Sequence, residues 1–544
     1  MPSNFRLTCF LNPHTRNVLQ LGIGFFFIFL AFNSQGFIEE SVLDGYTKTG
    51  QVDKHAGYTS LSIIYASFTV CNFVAPPIIR LLGTRTSLVT AGFVYVLFLA
   101  GFLNVHQWFL YATSALLGLA AAVLWTAQGK YLTLNSTPQS AGRHSSLFLC
   151  CAQACLSCGG LFLLIVFLLA PGDVNNNQIL QSNKTTTNNT SFTSENVKLL
   201  YSFFTGIALI GVIVLSLLPP TQRNNCQQEQ QNKEEKEETF ILAEITPGDV
   251  NNNQILQSNK TTTNNTSFTS ENVKLLYSFF TGIALIGVIV LSLLPPTQRN
   301  NCQQEQQNKE EKEETFILAE INSIFKMAKT PKMLALAVVF ANTGILLSFW
   351  SSIFPTSIIN TIIFQSQFSP KILIAFNGIV KGAGQPFLSL IFERLQLDKI
   401  KKSRIIFVGV LIQFLAILLC FVNLPNESPL NQTTNEAIIK PRVWIALICG
   451  FLLSFCDACW STQIFSFLII NYPTQSAQAF ALLKFYQSLL TSLLFFFSGY
   501  MSLHWHLFIL LISGTLGYWA FAVAEKMEIT NEKNRRKIDP IELS

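Results

Sequence analysis

The sequence predicts an all-α membrane protein built from two bundles of six helices each. Three observations lead to this prediction: only 12% of the 544 residues are charged and 50% are hydrophobic, the apolar residues form long runs, and short motifs recur in both parts of the chain. Soluble domains carry about 25% charged residues, and about 20 apolar residues cross a bilayer as a helix. The composition therefore excludes a water-soluble enzyme, and the alternating pattern of a membrane β-barrel is absent.

Thirteen apolar segments are long enough to span the membrane. The first is predicted to be an uncleaved signal anchor, because no small-residue cleavage site follows it. The segments are 17–37, 58–80, 86–104, 107–128, 146–170 and 198–218 before a polar linker, then 274–294, 333–354, 371–392, 404–423, 443–470, 478–500 and 505–524. An odd number conflicts with two similar halves.

A duplication explains the odd number. Residues 171–245 and 247–321 are identical over 75 positions, and each copy contains one apolar segment. Structural repeats of solenoid proteins diverge in sequence and occur three or more times. The duplication indicates either a recent exon duplication or an error in the gene model, and we favour the error.

Basic residues concentrate on the cytoplasmic side of membrane proteins. In the first half they precede span one and fall between spans two and three and between spans four and five: Arg6, Arg16, Arg80, Arg85, Lys130 and Arg143. The N-terminus is therefore predicted to be cytoplasmic. The loop 171–197, with glycosylation motifs at Asn183 and Asn188, is predicted to lie outside.

The second half gives an independent test of the topology. The basic segment 393–404 and the tail 532–537 should be cytoplasmic, whereas the loop 424–442, with glycosylation motifs at Asn426 and Asn431, should lie outside. Twelve spans satisfy both halves, whereas thirteen would invert the second half. One copy of the duplicated span is therefore predicted to be surplus, and both termini are predicted to be cytoplasmic.

Four regions follow from this topology. They are a six-helix half at 1–220, a cytoplasmic linker at 221–331 that contains the duplicated stretch, a six-helix half at 332–526 and a cytoplasmic tail at 527–544. The duplicated linker is rich in Gln, Glu, Lys and Asn, a composition that predicts disorder.

Short motifs recur at corresponding places in the two halves. The stretches LAFNSQGF (30–37) and LSFWSSIF (347–354) share the pattern L-x-F-x-S-x-x-F, and WTAQ (125–128) corresponds to WSTQ (460–463). Matches in the same order in both halves are expected of two parallel six-helix repeats. The helices that carry them are predicted to line a central cavity.

The stretches GYTSLSIIYASFTVCNFVAPPIIRLLG (57–83), AAAVLWTAQGKYLTLNS (120–136) and GRHS (142–145) carry a family resemblance. The chain resembles the Unc-93-like family of the major facilitator superfamily, and most of all its orphan-transporter branch. The resemblance implies a major-facilitator-type fold with twelve functional helices. The loop RLLGTRTS between spans two and three lacks the Asp of the usual superfamily pattern, and the family includes members that regulate channels or escort partners.

Ionisable residues inside spans are costly unless they are paired or hydrated, so each is a functional candidate. Lys381 and Asp457 lie at the middle of their spans and are predicted to face the cavity, with a direct pair between them as one arrangement. Lys484 lies nearer a span end, so it either faces the cavity or extends to the membrane interface, the reading that we favour.

Further candidates are polar or aromatic residues within spans. The amides Asn33, Gln35 and Asn342 either face the cavity or join helices by hydrogen bonds. The symmetric residues either contact substrate or anchor at the interface: Trp125, Gln128, Trp460 and Gln463. Gly382, Gly384 and Pro386 either bend span eight as a gate or pack closely.

The sequence predicts no catalytic residue, cofactor, metal site or nucleic-acid partner. Cys456 and Cys459 have C-x-x-C spacing without a second ligand pair, so we interpret them as packed thiols. The favoured function is a secondary transporter of a small solute by alternating access. The alternative is a non-transporting regulator or trafficking partner of an ion channel or receptor, which would bind a membrane protein.

Overall fold

The structure is a computed structural model that describes residues 12–36, 43, 52–53, 56–103, 105–169, 194–218, 309–395, 397 and 400–538. The first half contains α1 (Pro13–Gly36), α2 (Ala56–Cys71), α3 (Ala75–Leu82), α4 (Thr84–Gly101), α5 (Gln107–Leu134), α6 (Ala141–Leu169) and α7 (Ser194–Ser216). The second part contains α8 (Lys309–Ala328), α9 (Pro331–Ser348), a π-helical segment (Phe349–Ile353), α10 (Phe354–Asn360), α11 (Ile362–Gln365), α12 (Pro370–Arg394), α13 (Lys402–Asn423), α14 (Val443–Asn471), α15 (Ser476–Ser498) and α16 (Leu503–Ile538).

The predicted all-α membrane fold is confirmed. Within the described ranges, nine helical segments are long and apolar enough to cross a membrane, or ten if the bent pair α2 and α3 forms one span. Helices α7 and α12 coincide with two further predicted spans, 198–218 and 371–392. The predicted span 274–294 lies outside the described residues, so the choice between twelve and thirteen spans stays a prediction.

Local sequence explains where several helices begin. Thr330 and Ser369 cap α9 and α12, and each side chain accepts a bond from the backbone N–H three residues later. Each cap is followed by a proline, whose missing N–H costs nothing at the first helical position. Pro76 and Pro77 have the opposite effect on the predicted span 58–80, because they cannot continue a helix from α2. The span is therefore broken, and α2 and α3 meet at 71°.

The two halves repeat the same packing. In the first half, α1 packs on α6 and α7, and α4 packs on α5 and α7. In the second half, α9 packs on α15 and α16, and α13 packs on α14 and α16. Between the halves, α6 lies along α12 and α2 lies along α15. These contacts are the two-repeat arrangement that the recurring motifs predict.

The basic regions of both halves meet at one end of the bundle, which we call the linker end because α8 lies there. Arg143 at the start of α6 lies 3.3 Å from Glu393 at the end of α12. Arg80 of α3 forms an ion pair with Glu320 of α8 at 2.7 Å. The loop 424–442 lies at the opposite end, between α13 and α14. This geometry is the one that the twelve-span prediction requires, while the cytoplasmic assignment stays a prediction.

Helix α8 corrects the prediction for the linker. The stretch 309–321 belongs to the second copy of the duplication, and its polar composition predicts disorder, but it forms the first part of α8. The prediction was wrong here because the buried Glu320 finds polar partners on α3 and α15, which composition does not reveal. Helix α7 comes from the first copy of the duplicated sequence, and the first part of α8 comes from the second copy. The two stretches correspond to different parts of that sequence.

Deletion of residues 246–321 is expected to leave the fold intact, because joining Ile245 to Asn322 restores the sequence of α8. Asn183 and Asn431 are expected to carry glycans in both the full and the shortened chain, since twelve spans place both motifs outside. Gel mobility before and after deglycosylation shows whether glycans are present, and variants with each Asn replaced by Gln show which residue carries them. Modification of Asn183 together with an unmodified Asn431 would contradict the topology.

Candidate functional site

A cavity of about 230 Å³ lies between the two halves. Its size is below the roughly 300–1,000 Å³ of sites for drug-sized ligands, so it suits a small solute. The first half lines it with Phe29, Phe32, Asn33, Leu61, Ile64, Tyr65, Phe68, Tyr95, Leu117, Ala121, Trp125, Leu149, Ala152, Gln153 and Cys155. The second half contributes Thr343, Leu347, Trp350, Asp457, Ser461, Ile464, Phe465, Leu483, Lys484 and Gln487.

Two opposite charges face this cavity. Asp457 of α14 and Lys484 of α15 are only 9% and 8% exposed, and both line the cavity. Within the described ranges the two do not form a close ion pair. The cavity-facing prediction for Asp457 therefore agrees with the structure.

Lys484 does not reach the membrane interface, so the interpretation that we favoured for it was wrong. Its ammonium donates to Gln487 Oε1 at 2.8 Å and lies 4.2 Å from the ring centroid of Trp125. The interaction of a cation with the face of Trp is strongest when both are shielded from water. The contact fixes Lys484 of the second half against a side chain of the first half.

Trp125 is held by aromatic neighbours in the first half. Its ring lies 5.3 Å from Phe25 and 5.1 Å from Phe29, measured between centroids. Such edge and tilted contacts stabilise ring pairs beyond the area they bury. Trp125 is therefore a rigid wall of the cavity, and the interface-anchor interpretation of this residue was wrong.

Amide side chains supply further polar atoms to the cavity. Asn33 lines it and donates to Cys155 Sγ at 3.4 Å. Gln153 and Gln487 were not predicted as site residues, but they face the same space from α6 and α15. Both are polar residues inside apolar spans, and this signal could have found them.

Lys381 does not line the cavity, so its predicted cavity position and its predicted pair with Asp457 were wrong. Its ammonium donates to the carbonyl oxygen of Trp350, which belongs to the π-helical segment. It also lies 5.4 Å and 5.7 Å from the ring centroids of Trp350 and Phe354. A π-helical turn disturbs the regular backbone bonds, and Lys381 satisfies one carbonyl there.

The remaining amide and Trp candidates are buried away from the cavity. Asn342 Oδ1 accepts a hydrogen bond from Ser513 of α16 at 2.9 Å, which supports the helix-joining interpretation. The others are Gln35, Gln128, Trp460 and Gln463, each at most 2% exposed. Within the described part of the chain, both amide atoms of Gln128 and the Nε1 of Trp460 find no hydrogen-bond partner. The two members of the symmetric Trp pair thus differ, since only the first faces the cavity.

The glycine-proline stretch of α12 packs closely against neighbouring helices, which agrees with the second of its two predicted roles. The helix runs continuously through Pro386. A Cβ at Gly382 would collide with the backbone of Ser157 in α6, and one at Gly384 would lie 2.7 Å from Phe455 N in α14. These glycines therefore permit contact between backbones.

The candidate glycosylation sites that the structure describes, Asn426 and Asn431, do not line the cavity. Asn431 is exposed in the loop 424–442, and Asn426 Oδ1 accepts a bond from His504 N at 2.9 Å. Asn183 and Asn188 lie outside the described residues. Modification of these four residues stays a prediction.

Two packed helical repeats around a central cavity define a multi-pass membrane protein of the major facilitator fold. A family model described as "Ion channel regulatory protein UNC-93" matches residues 48–246 and 249–522. The chain belongs to the UNC-93 family. The break in the match falls at the junction of the two copies of the duplication.

Similar proteins match either nearly the whole chain or a shorter part of it. UNC93-like protein MFSD11 of Xenopus tropicalis is 29% identical over 522 residues, which cover 95% of this chain and 97% of that protein. UNC93-like protein 3 of Arabidopsis thaliana is 37% identical over 120 residues, or 22% of this chain and 24% of that protein.

Solved structures share the fold at low identity. The proton:xylose symporter XylE, bound to 6-bromo-6-deoxy-D-glucose, is 11% identical with a TM-score of 0.52, and the match covers 93% of this chain and 94% of that one. The peptide transporter POT is 12% identical with a TM-score of 0.51, over 94% and 95%. Likeness at this level concerns the fold alone.

Proposed function

We propose that this chain is a secondary transporter of a small solute that works by alternating access of its two halves. The observation that carries the proposal is the cavity between the halves, which is lined by the buried residues Asp457 and Lys484. Buried charges inside a membrane protein are costly and mark solute or ion pathways. A site at the interface of two repeats is where rocking of one half against the other exposes it to each side in turn.

Contacts between the halves support this motion. Helices α6 and α12 approach through glycines, and α2 lies along α15, where Thr69 donates to Ser488 Oγ at 3.0 Å. At the linker end, the backbone at Gly129 of α5 lies directly against the ring of Phe480 in α15. Alternating access requires that these contacts open at one end of the bundle while those at the other end persist.

Uptake into proteoliposomes, measured over a panel of small solutes, tests the proposal. At least one solute is expected to accumulate, and Asp457→Asn or Lys484→Gln is expected to reduce its uptake by about 100-fold, the effect of losing roughly 2.7 kcal/mol of charged contact. Glu393→Gln removes an exposed carboxylate at the linker end and serves as the control, because it is expected to keep normal uptake. Equal uptake by Asp457→Asn and the unchanged protein would contradict the assigned site.

The second candidate function is regulation of a membrane partner without transport. The description of the matching family as an ion channel regulatory protein favours it. Crosslinking in the native membrane, followed by purification, separates the two candidates. A channel or receptor recovered in fixed proportion, together with no uptake of any solute, would replace the transport proposal.

A further inference from the structure

We infer that the cavity binds a zwitterionic solute, a small molecule with one ammonium, one carboxylate and an apolar body. The inference rests on the proposed function and names its substrate class. It starts from the charge of the cavity, which is lined by one carboxylate, Asp457, and one ammonium, Lys484, within the described part of the chain.

The charge balance selects the class of solute. An anion would pair with Lys484 but would place a second negative charge near the buried carboxylate of Asp457. A cation would pair with Asp457 and face the same problem at Lys484. Like charges at short range in a buried site are strongly unfavourable. A solute that carries one charge of each sign pairs with both groups and leaves the cavity neutral.

Asp457 and Lys484 both keep polar atoms that are available to bind a solute. Asp457 has no hydrogen bond or close ion pair within the residues that the structure describes, and it faces the cavity. An ammonium has three N–H donors. One N–H of Lys484 binds Gln487 Oε1 and the cation lies over Trp125, so a donor remains for a carboxylate.

The other walls of the cavity fit an apolar body. The first half contributes the aromatic rings Phe29, Phe32, Tyr95 and Trp125, and the second half adds Phe465. Small-molecule sites combine mainly apolar walls with a few placed polar groups. The volume of about 230 Å³ limits the solute to a small molecule.

Matched ligands test the inference directly. Isothermal titration calorimetry on the full chain in lipid nanodiscs compares phenylalanine with 3-phenylpropionate, which lacks the ammonium, and with phenethylamine, which lacks the carboxylate. Leucine, 4-methylpentanoate and isoamylamine form a second series with a smaller body. In at least one series the zwitterion is expected to bind about tenfold or more tightly than both singly charged analogues, the factor for roughly 1.4 kcal/mol.

Two charge-removing variants should reverse the preference. In Asp457→Asn the anionic analogue is expected to bind at least as tightly as the zwitterion, and in Lys484→Met the cationic analogue is expected to do so. Lys332→Met is the matched control, because Lys332 pairs with Glu528 at the linker end, away from the cavity. This variant is expected to retain the preference for the zwitterion.

The outcomes separate the inference from the proposed function. A singly charged analogue that binds the unchanged protein as tightly as its zwitterion overturns the inference, as does the absence of zwitterion binding in both series to monodisperse, cooperatively unfolding protein. Zwitterion binding with no uptake in proteoliposomes supports the inference and contradicts transport. Uptake of an anion or a cation alone supports transport and overturns the inference.

Discussion

Gly160→Ala is expected to destabilise the protein by about 1–3 kcal/mol, the usual cost of inserting an extra group into a packed core. An added Cβ would lie 2.7 Å from both Ala375 O and Ile379 N of α12. Both are backbone atoms of a helix and cannot move aside as a flexible side chain can. The halves would have to separate along α6 and α12, so solute uptake is also expected to fall. Unfolding of the detergent-solubilised protein, followed by circular dichroism, measures the stability.

Gly206→Ala is the matched control. It makes the same chemical change in α7 of the same half, but no atom lies within 4 Å of the added Cβ. Alanine in a helix is favoured over glycine by roughly 0.5–1 kcal/mol, so this variant is expected to be as stable as the unchanged protein or slightly more stable. Equal stability of the Gly160 and Gly206 variants would show that the close approach of α6 and α12 is not a strong constraint.

Glu320→Ala is expected to release α8 from the bundle and to cost about 1.5–3 kcal/mol, the range for hydrogen bonds to charged groups. The Glu320 side chain is 9% exposed, and it accepts bonds from Arg80 at 2.7 Å and from Gln478 at 2.5 Å. These partners lie in different halves, on α3 and α15. Hydrogen exchange of the α8 amides, together with the unfolding free energy, measures both effects.

The ion pair between Arg143 and Glu393 provides the comparison. It also joins the two halves at the linker end, but its side chains are 55% and 69% exposed and its atoms are 3.3 Å apart. Exposed pairs contribute about 0–1 kcal/mol. Glu393→Ala is therefore expected to leave the exchange of α8 unchanged. If Glu393→Ala lowered the unfolding free energy as much as Glu320→Ala, the conclusion that the buried ion pair contributes more than the exposed one would be wrong.

The sequence was sufficient to predict the membrane class and the repeated packing. Long apolar runs fix helices in a bilayer, because backbone groups there have no other hydrogen-bond partners. Breaks inside a span were harder to predict. The bend at Pro76 and Pro77 had a local signal that hydropathy averaging hides. Helix α8 had none, because its order depends on Arg80 and Gln478, which are distant in sequence.

The sequence was sufficient to predict which charged residues lie inside the spans, but not the direction in which their side chains point. The cost of burying charge identified Asp457, Lys484 and Lys381 as unusual residues. Which side of a helix each one faces depends on tertiary packing. Lys381 turned to a backbone carbonyl instead of the cavity, and Lys484 extended over Trp125 instead of toward the interface.

The repeated motifs also show that the direction of a side chain could not be predicted from the sequence. At equivalent positions of the first motif, Asn33 and Trp350 both line the cavity. In the second motif, Trp125 lines it while Trp460 packs beside Gly517 of α16, where a Cβ would lie 3.2 Å from the Trp460 ring. A small residue on a neighbouring helix creates the space that takes up Trp460, and no pattern within the motif reveals it.

The π-helical segment at 349–353 has a consequence for comparing the halves. Its turn holds one more residue than an α-helical turn, whereas α1, which carries the same motif, is a regular helix from Pro13 to Gly36. The two motifs have the same spacing in the sequence, but the side chains of Phe349–Ile353 are placed around a wider turn than the equivalent residues of α1. Equivalent motif residues of the two halves can therefore point in different directions although their order in the sequence is identical.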